Sequence, residues 1–471
     1  MPLASLSHYL SLDSPTAGLY TLAKWGSLAA LILAIRTWSR GFVCREERQL
    51  AGKTYLLVGG FSSTGLSVFS SLAARGAQII ALHPTPLSPS VVQLLLLLRS
   101  SSENERLYAE ECDLTSVKSI RDFVLRWKKD AREGMVGDLE ARLDGIVFCD
   151  GEGAGAPSSL AIGAEQAWAL DTGDERFSEY RLSRLTGRHA LVQLLMPILL
   201  RSAATSTSPL RLINTVSPYY SAIAPGSFRP ADLDYLAPDA PPFPRSQPWL
   251  AEGQVALASV LLWRELQRRV STAASASAAA PSSSADAPSK LSDLPLPSTP
   301  LLALSVCPGL TRASLRAHIA PSLAAPLRLF VFIACYPLIW LFAKSADEAA
   351  QGVLGALLGD VEGSSADKGS SEGKEARGPG GEKVAREGGA KGKKADGEDT
   401  TGRMRVRRGA LYREGKEVRI PALDSVDSSV GAELWDNETK LVERLLLAAA
   451  EQDKKEKDAA ATAPTERRKD V

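Results

Sequence analysis

The sequence lacks a charge excess of either sign, because 55 basic residues stand against 54 acidic ones in a chain of 471. A nucleic-acid-binding surface needs clustered basic residues, so this balance argues against a nucleic-acid partner. The five cysteines lie far apart without a C-x-x-C pair, and the four histidines are scattered. We therefore expect no disulfide framework and no metal site, and we interpret the cysteines as small buried side chains in a reducing compartment.

Apolar side chains are scarce in three segments. Residues 271–299 are rich in Ala, Ser and Pro, and residues 361–402 are rich in Gly, Lys, Glu and Ser. Neither segment can bury enough surface to offset chain entropy, so both are predicted to be disordered inserts, like the tail over 452–471. The rest is predicted to form a single domain over 51–270 and 300–360, completed by a C-terminal strand and helix over 403–451.

Apolar runs long enough to cross a membrane are also scarce, and the best candidate lies near the N-terminus. Residues 17–35 contain only one charge, Lys24, and a helix of this length reaches roughly 28 Å, close to the thickness of a bilayer core. Arginines follow the run, whereas the short tail over 1–16 has no Lys or Arg. This asymmetry predicts a transmembrane anchor over 17–38 with the bulk of the chain in the cytosol. A buried or interfacial helix is the alternative, because Lys24 and Gly26 weaken the span.

A second apolar block, PLRLFVFIACYPLIWLF, covers 326–342. It contains Arg328 and is interrupted by Pro337, which makes it short and irregular for a membrane span. We expect a membrane-facing or substrate-covering helix near the mouth of an active site. A second transmembrane segment and a core helix are the alternatives.

Strand and helix patterns alternate from Lys53 onward. The stretch LLVGGFSSTGLS over 56–67 places a glycine-rich loop between a buried strand and a helix, and a second strand follows at 78–82. Strand, glycine loop, helix and strand form a βαβ unit, in which glycines let the backbone approach a pyrophosphate at the helix N-terminus. Continued alternation predicts an α/β fold with a Rossmann-type doubly wound parallel sheet.

With this series of motifs the chain resembles the short-chain dehydrogenase/reductase family, and most of all its membrane-bound, retinol-dehydrogenase-like branch. The resemblance extends from about Lys53 to Leu447 and includes CDLTSVKSIRDFV, LDGIVFCDGEG, RLINTVSPYYS and SVCPGLTRASL. It implies an NAD or NADP cofactor and a catalytic serine at Ser217. The cofactor-binding positions that it implies are Gly59, Gly60, Ser63, Thr64, Gly65, Asp113, Leu114, Gly151, Pro308 and Gly309.

The sequence departs from the family at several cofactor positions. Ser63 replaces the middle glycine of the motif, and the second strand is followed by His83 and Pro84 instead of an acidic residue or an arginine. NAD therefore cannot be distinguished from NADP, and weak binding or none is the alternative to tight binding. Arg184 stands where the family has the asparagine of its catalytic tetrad.

The largest departure concerns the catalytic pair. In the family a tyrosine exchanges the substrate proton, and a lysine four residues later lowers the tyrosine pKa from the same helix face. Alignment on the RELQRR segment places Glu252 and Ala256 at these two positions. An unassisted glutamate has a reference pKa near 4.3 and is a poor acid at neutral pH. Tyr219 or Tyr220 could reach a substrate beside Ser217, although aromatic lining is the simpler interpretation.

Two hypotheses for the function remain. By resemblance the chain is a membrane-tethered oxidoreductase acting on a lipophilic alcohol or ketone, such as a sterol, a retinoid or a fatty-chain compound. Loss of the tyrosine and lysine positions favours the other hypothesis, a catalytically inactive descendant that works as a lipid or nucleotide sensor or as a scaffold. The partners expected are the lipid bilayer and a lipophilic small molecule, and a homodimer is an open alternative. The endoplasmic reticulum or a lipid droplet is the location that the resemblance implies.

Overall fold

The computed structural model of the protein describes residues 15–133, 142–149, 173–206, 208–233, 235, 247–279, 301–318, 325–361, 404–424 and 426–462. The helices in this part are α1 (Pro15–Arg40), α2 (Ser63–Ala74), α3 (Pro89–Ser102), α4 (Val117–Glu133), α5 (Gly173–Arg181), α6 (Gly187–Thr205), α7 (Pro248–Ala279), α8 (Arg312–His318), α9 (Ala325–Phe342), α10 (Ala346–Leu358), α11 (Pro421–Asp424) and α12 (Ser428–Thr462). The strands are β1 (Thr54–Val58), β2 (Gln78–His83), β3 (Leu107–Glu111), β4 (Gly145–Phe148), β5 (Arg211–Thr215), β6 (Leu302–Cys307), β7 (Asp360–Val361), β8 (Arg405–Val406), β9 (Leu411–Arg413) and β10 (Lys416–Glu417). A π-helical turn over Leu182–Thr186 joins α5 to α6, and a 3₁₀ helix over Pro218–Ala222 follows β5.

The described strands form an eight-stranded sheet in the order β10-β9-β6-β5-β4-β1-β2-β3. The strand pairs are parallel except for β10, which runs antiparallel to β9. The order reverses at β1, since the chain builds outward to β3 and then crosses to β4 on the other side. This is the doubly wound arrangement, which confirms the predicted α/β Rossmann-type fold, and ligands in such sheets bind outside the carboxyl ends of the strands.

The central strands are buried on both faces because helices cover both sides of the sheet. Leu56 and Val58 pack into one hydrophobic cluster, whereas Tyr55 and Leu57 of the same strand pack into the cluster on the opposite face. Burial of one such side chain contributes about 1.5–3 kcal/mol. A continuous apolar run, rather than an alternating one, is therefore what this position in the sheet requires.

Two helices are longer than the sequence patterns predict. Helix α7 continues past Val270 to Ala279, into the predicted insert, and α12 continues through the start of the predicted tail to Thr462. Both extensions are rich in alanine, the strongest helix former, and that of α12 adds lysine and glutamate. The remainder of the inserts, over 280–299 and 362–402, lies outside the described residues.

The prediction of a transmembrane anchor over 17–38 is not supported. Residues 15–40 do form a helix, α1, but no helix in the described part of the chain has the length and hydropathy needed to cross a bilayer. Lys24, Gly26 and the small residues around them keep the mean hydropathy of α1 low. The second apolar block forms α9, which packs on α1.

Candidate cofactor and catalytic site

The glycine loop after β1 has the geometry of a phosphate cradle. Gly59 adopts a φ of 68°, a left-handed conformation that favours glycine. A Cβ at Gly65 would lie 2.0 Å from the carbonyl oxygen of Gly59, so only glycine lets the helix pack this closely on the loop. The Ser62 hydroxyl accepts the amide of Gly65 at 3.1 Å and caps α2. The N-terminus of α2 is thereby aimed at the carboxyl edge of the sheet, where it can bind an anion.

The other predicted loop residues either pack the loop on β1 or are available to contact a phosphate. A Cβ at Gly60 would meet the side chain of Leu57 at 2.7 Å, so this glycine serves the packing of the loop on β1. Ser63 is exposed, so its hydroxymethyl group does not fill the loop. Thr64 is fully buried, and its Oγ1 has no hydrogen-bond partner among the described residues. An orphan hydroxyl in the first turn of α2 fits a loop that takes a phosphate oxygen.

The end of β2 offers no charged group for a ribose or for a ribose phosphate. His83 is buried, its Nδ1 accepts the amide of Thr85 at 3.0 Å, and burial lowers its pKa. The ring of Phe61 packs edge-on against it with the centroids 5.5 Å apart. A neutral imidazole under an aromatic ring provides no signal for NAD or for NADP.

Asp113 and Leu114 lie at the carboxyl edge after β3. One carboxylate oxygen of Asp113 accepts the amide and the hydroxyl of Thr115 at 2.9 and 2.8 Å, so the side chain shapes the turn that begins α4. A Cβ at Gly187 would lie 2.1 Å from the carbonyl oxygen of Leu114. The turn is therefore pressed against the start of α6, beside the catalytic positions.

The segment after β6 connects the cofactor edge to the apolar helices. Gly309 has a φ of 91°, and Pro308 is buried. Lys344, two residues after the end of α9, donates its amide to the carbonyl of Leu310 at 2.9 Å, and its carbonyl accepts the amide of Arg312 at 3.1 Å. The segment expected to cover a nicotinamide is thus tied to the end of α9. The remaining predicted cofactor residue, Gly151, lies outside the described residues.

Ser217 lies two residues after the end of β5, directly before the 3₁₀ helix, and is buried at the carboxyl edge of the sheet. Its Oγ accepts the amide of Tyr219 at 3.4 Å, so the hydroxyl proton can be donated to another acceptor. The side chain borders a small cavity. The lining includes Tyr180, Arg184, Arg188, Thr215, Ala256 and Ser259.

Two guanidinium groups on the crossover helix face this cavity. Arg188 is 1 % exposed and donates to the carbonyl of Thr215 at 2.9 Å and to the side-chain oxygen of Asn214. The side-chain amide of Asn214 in turn donates to Ser259 at 2.8 Å. Arg184, in the π-helical turn, lies over the ring of Tyr180 at 5.5 Å. Positive charge therefore reaches the cavity from α6 and the turn before it, whereas Ala256 at the family's lysine position brings none.

Glu252, the residue predicted at the tyrosine position, is fully buried one turn before Ala256. The part of α7 that lines the cavity consists of Val255, Ala256 and Ser259. Burial raises the pKa of Tyr219 to about 12, despite a hydrogen bond with Ser314, and the charge of Glu252 adds to the shift. Glu252 is thus close enough to Tyr219 for its charge to act on the phenol, whereas Ser217 borders the cavity.

Sequence reasoning did not identify Tyr180 and Arg188 as site residues. Both precede β5 and lie on elements that the family does not use for its phenol and its cation. The available signal was spacing, since Tyr180, Arg184 and Arg188 recur every four residues and therefore share one face of a helix.

No protein-family model matches the chain. It is 27% identical over 243 residues to the uncharacterized oxidoreductase pbr1 of Schizosaccharomyces pombe, covering 50% of this chain and 57% of that protein. It is 35% identical over 120 residues to the uncharacterized oxidoreductase YNL181W of Saccharomyces cerevisiae, covering 25% of this chain and 28% of that protein. The chain thus spans about half or less of the length of these curated relatives. The solved structure of a short-chain dehydrogenase from Shigella flexneri aligns at a TM-score of 0.40 and 16% identity, covering 67% of this chain and 89% of the other.

These comparisons do not test the retinol-dehydrogenase-like branch, which stays a prediction. The strand order and the motifs at the carboxyl edge agree with the family, and both curated relatives are named oxidoreductases. The predicted doubly wound fold is therefore confirmed, and the resemblance to the short-chain dehydrogenase/reductase superfamily agrees with the strand order and with the names of these relatives.

Proposed function

We propose that the protein is a nicotinamide-dependent oxidoreductase that acts on a lipophilic alcohol or ketone. The observation that carries this proposal is the cavity beside Ser217, which opens at the same edge of the sheet as the glycine loop of β1. A dinucleotide cradle and a hydroxyl donor at one edge are what hydride transfer to a carbonyl requires.

Each residue of the site has a role in this proposal. The loop between Gly59 and Gly65, with the N-terminus of α2, would hold the pyrophosphate of NAD or NADP. A bound dihydronicotinamide supplies the hydride. Ser217 donates its hydroxyl proton in a hydrogen bond to the substrate carbonyl oxygen, since its Oγ is already fixed by the amide of Tyr219. Such a fixed donor stabilises the charge that develops on the oxygen.

The apolar helices support a lipophilic substrate. Along α1, every side chain from Leu22 to Ala34 is exposed. Helix α9 also exposes large apolar side chains, among them Phe330 at 68 % and Ile333 at 61 %. Because Lys344, two residues after the end of α9, pairs with the segment after β6, a molecule resting on these helices lies next to the mouth of the site.

We infer that α1 and α9 rest in one leaflet of a lipid surface, without crossing it. Exposed apolar patches mark interaction sites, and α1 is exposed around its whole circumference over 22–34. Acyl chains can surround such a helix, whereas a protein partner would cover only one side of it. Trp25 and Trp38, 65 % and 80 % exposed, suit the headgroup boundary. The endoplasmic reticulum or a lipid droplet is the proposed location.

Lipid binding is tested by sedimentation of the full chain with phosphatidylcholine vesicles. We expect the wild type to pellet with the vesicles and Phe330→Asp to remain largely in the supernatant. Leu87→Asp is the matched control, because Leu87 is 88 % exposed outside α1 and α9, and it should pellet like the wild type. A wild type that ignores vesicles but sediments as a dimer through this surface would overturn the lipid proposal in favour of a homodimer.

The enzymatic proposal is tested by calorimetric titration of the full chain with NADH and with NADPH. Micromolar affinity for either cofactor, with oxidation of that cofactor in the presence of decanal as a probe carbonyl, is the expected result. The buried Glu252 and the alanine at position 256 favour a second candidate, a non-catalytic sensor or scaffold with this fold. No binding at millimolar cofactor would contradict the enzymatic proposal and support that candidate.

A further inference from the structure

The cavity beside Ser217 contains the two chemical groups that the family's catalytic pair would provide, but they come from another helix. Hydride transfer to a carbonyl requires a proton donor for the oxygen and a cation that stabilises the donor's conjugate base. Helix α7 supplies neither to the cavity, since its lining residues are Val255, Ala256 and Ser259. The opposite wall supplies both, as a phenol and two guanidinium groups.

We propose that Tyr180 is the proton donor of this site and that Arg184 and Arg188 replace the lysine of the family. This inference rests on the proposed oxidoreductase function. The three side chains follow one another at intervals of four residues, from the end of α5 through the π-helical turn into α6. They line the same cavity as Ser217. π-helical turns inside α-helices occur often at functional sites.

Tyr180 is held in place from both sides. Its ring stacks on Phe177 with the centroids 6.3 Å apart, and the guanidinium of Arg184 lies 5.5 Å from the ring centroid. The side chain is 8 % exposed, so its phenol faces the cavity lining rather than bulk water. A fixed phenol at the edge of a small cavity can meet the oxygen that Ser217 also contacts.

The other two tyrosines near Ser217 are engaged elsewhere. Burial raises the pKa of Tyr219 to about 12, and its hydroxyl bonds with Ser314. Burial also raises the pKa of Tyr220, whose hydroxyl bonds with Arg413. Neither residue lines the cavity. Tyr180 is therefore the phenol, among the described residues, that faces the substrate position.

The charges around Tyr180 favour its ionised form. Arg184 and Arg188 bring two guanidinium groups to the cavity, and a nearby positive charge stabilises a phenolate. Among the described residues, carboxylates that oppose them stand on two neighbouring helices, α12 and α7. Glu438 of α12 is engaged by Arg181 at 2.7 Å and by the Thr186 hydroxyl, which offsets its charge.

The second carboxylate is Glu252 of α7. It lies buried outside the cavity lining, and its charge acts on Tyr219. The two guanidinium groups border the cavity that Tyr180 also borders, whereas Glu252 does not.

The reduction balances with these groups. A bound NADH or NADPH would supply the hydride for the new C–H bond at the carbonyl carbon and would leave as NAD⁺ or NADP⁺. The carbonyl oxygen takes the phenolic proton of Tyr180 and becomes the alcohol. The phenolate that remains is stabilised by Arg184 and Arg188, and water returns its proton.

The first test measures ionisation of the phenol in the full chain without cofactor. Tyrosinate absorbance is followed against pH in the wild type, in Tyr180→Phe and in Tyr219→Phe. We expect one tyrosine of the wild type to ionise well below the ordinary pKa of about 10. That titration should disappear in Tyr180→Phe, remain in Tyr219→Phe, and move to higher pH in Arg184→Met. A wild type without an early titration, or one that keeps it in Tyr180→Phe, would overturn the inference.

The second test measures decanal-dependent oxidation of NADPH and NADH. Loss of a general acid costs about 100-fold or more in kcat, so Tyr180→Phe should lose this factor with its cofactor affinity unchanged, and Tyr219→Phe should retain activity. If the wild type neither binds cofactor nor turns over, the proposed function fails while the early titration still stands. If the wild type turns over and Tyr180→Phe does so equally, the inference fails and the function stands. If Tyr180→Phe does not fold, the pH–rate profiles of the wild type and of Arg184→Met decide instead. The inference requires that the limb of the profile that reports ionisation of the phenol lies at higher pH in Arg184→Met.

Discussion

Restoring the family's lysine by the substitution Ala256→Lys is expected to destabilise the protein instead of repairing it. Ala256 is 4 % exposed and borders the cavity that Arg184 and Arg188 already line. A third cation there would lose its hydration and meet two fixed positive charges. Both effects lower the pKa of a lysine, so the variant would fold with a neutral amine.

The cost follows from the proton that this lysine must release. A lysine with an unfolded pKa of about 10.4 that is neutral when folded costs up to about 4.6 kcal/mol at pH 7, at 1.36 kcal/mol per unit. Because its folded pKa lies below the unfolded one, the variant gains stability as the pH rises toward 10.4. At pH 9 the same calculation leaves about 1.9 kcal/mol.

The measurement is urea unfolding of Ala256→Lys and Ala256→Met at pH 7 and at pH 9. Methionine has a similar length without a charge, so both variants carry the same overpacking cost, and their difference reports the electrostatic part. We expect a gap of several kcal/mol at pH 7 that narrows at pH 9. Equal stability of the two variants, or a gap that does not depend on pH, would refute the placement of the two guanidinium groups.

Three further predictions concern the loop, α6 and α1. Gly65→Ala should reduce NADPH affinity in calorimetry by about tenfold or more, because its Cβ would lie 2.0 Å from the carbonyl oxygen of Gly59. Gly431→Ala is the control and should leave the affinity unchanged, because the nearest contact of its Cβ is at 3.9 Å. Burial lowers the pKa of His189 to about 4. The free energy of unfolding should therefore fall as the pH drops below 6.5, by about 2 kcal/mol at pH 5. Urea unfolding of His189→Phe should not show this loss of stability. Arg36→Met should cost about 1–3 kcal/mol and raise proteolysis of α1, because the buried Arg36 pairs at 2.6 Å with Glu348 in the first turn of α10. Arg40→Met should cost less, because Arg40 is exposed.

Much of the fold could be predicted from local sequence. The run Tyr55–Val58, the glycines at 59 and 65 and the helix after them are adjacent in the chain, and the physics of that unit is local. The ends of the helices could be predicted less well from the sequence. The alanines over 271–279 resemble a flexible insert by composition, yet they extend α7 because a formed helix adds alanines at little cost.

The cavity beside Ser217 could be predicted only in part. Ser217 was identified because it follows a strand in a recognisable motif. Glu252 was placed by alignment along α7, but alignment does not report which side of a buried helix faces the cavity, and here that side is Ala256 and Ser259. Tyr180 lies in a stretch without a motif, and its approach to Ser217 depends on how the π-helical turn directs α5 and α6 toward β5.

The arginines explain how a lysine could be lost without loss of the charge. In the family's arrangement the cation and the phenol share a helix that reaches the cavity from one side. Here Arg188 reaches from the other side and is anchored on Asn214 and Thr215 at the end of β5. Once two cations occupy this wall, a lysine at position 256 becomes a liability, because like charges in a closed cavity raise each other's energy. Under the proposed mechanism, an uncharged alanine at that position is therefore compatible with an active site, and the loss of activity in Tyr180→Phe decides between this reading and the non-catalytic candidate.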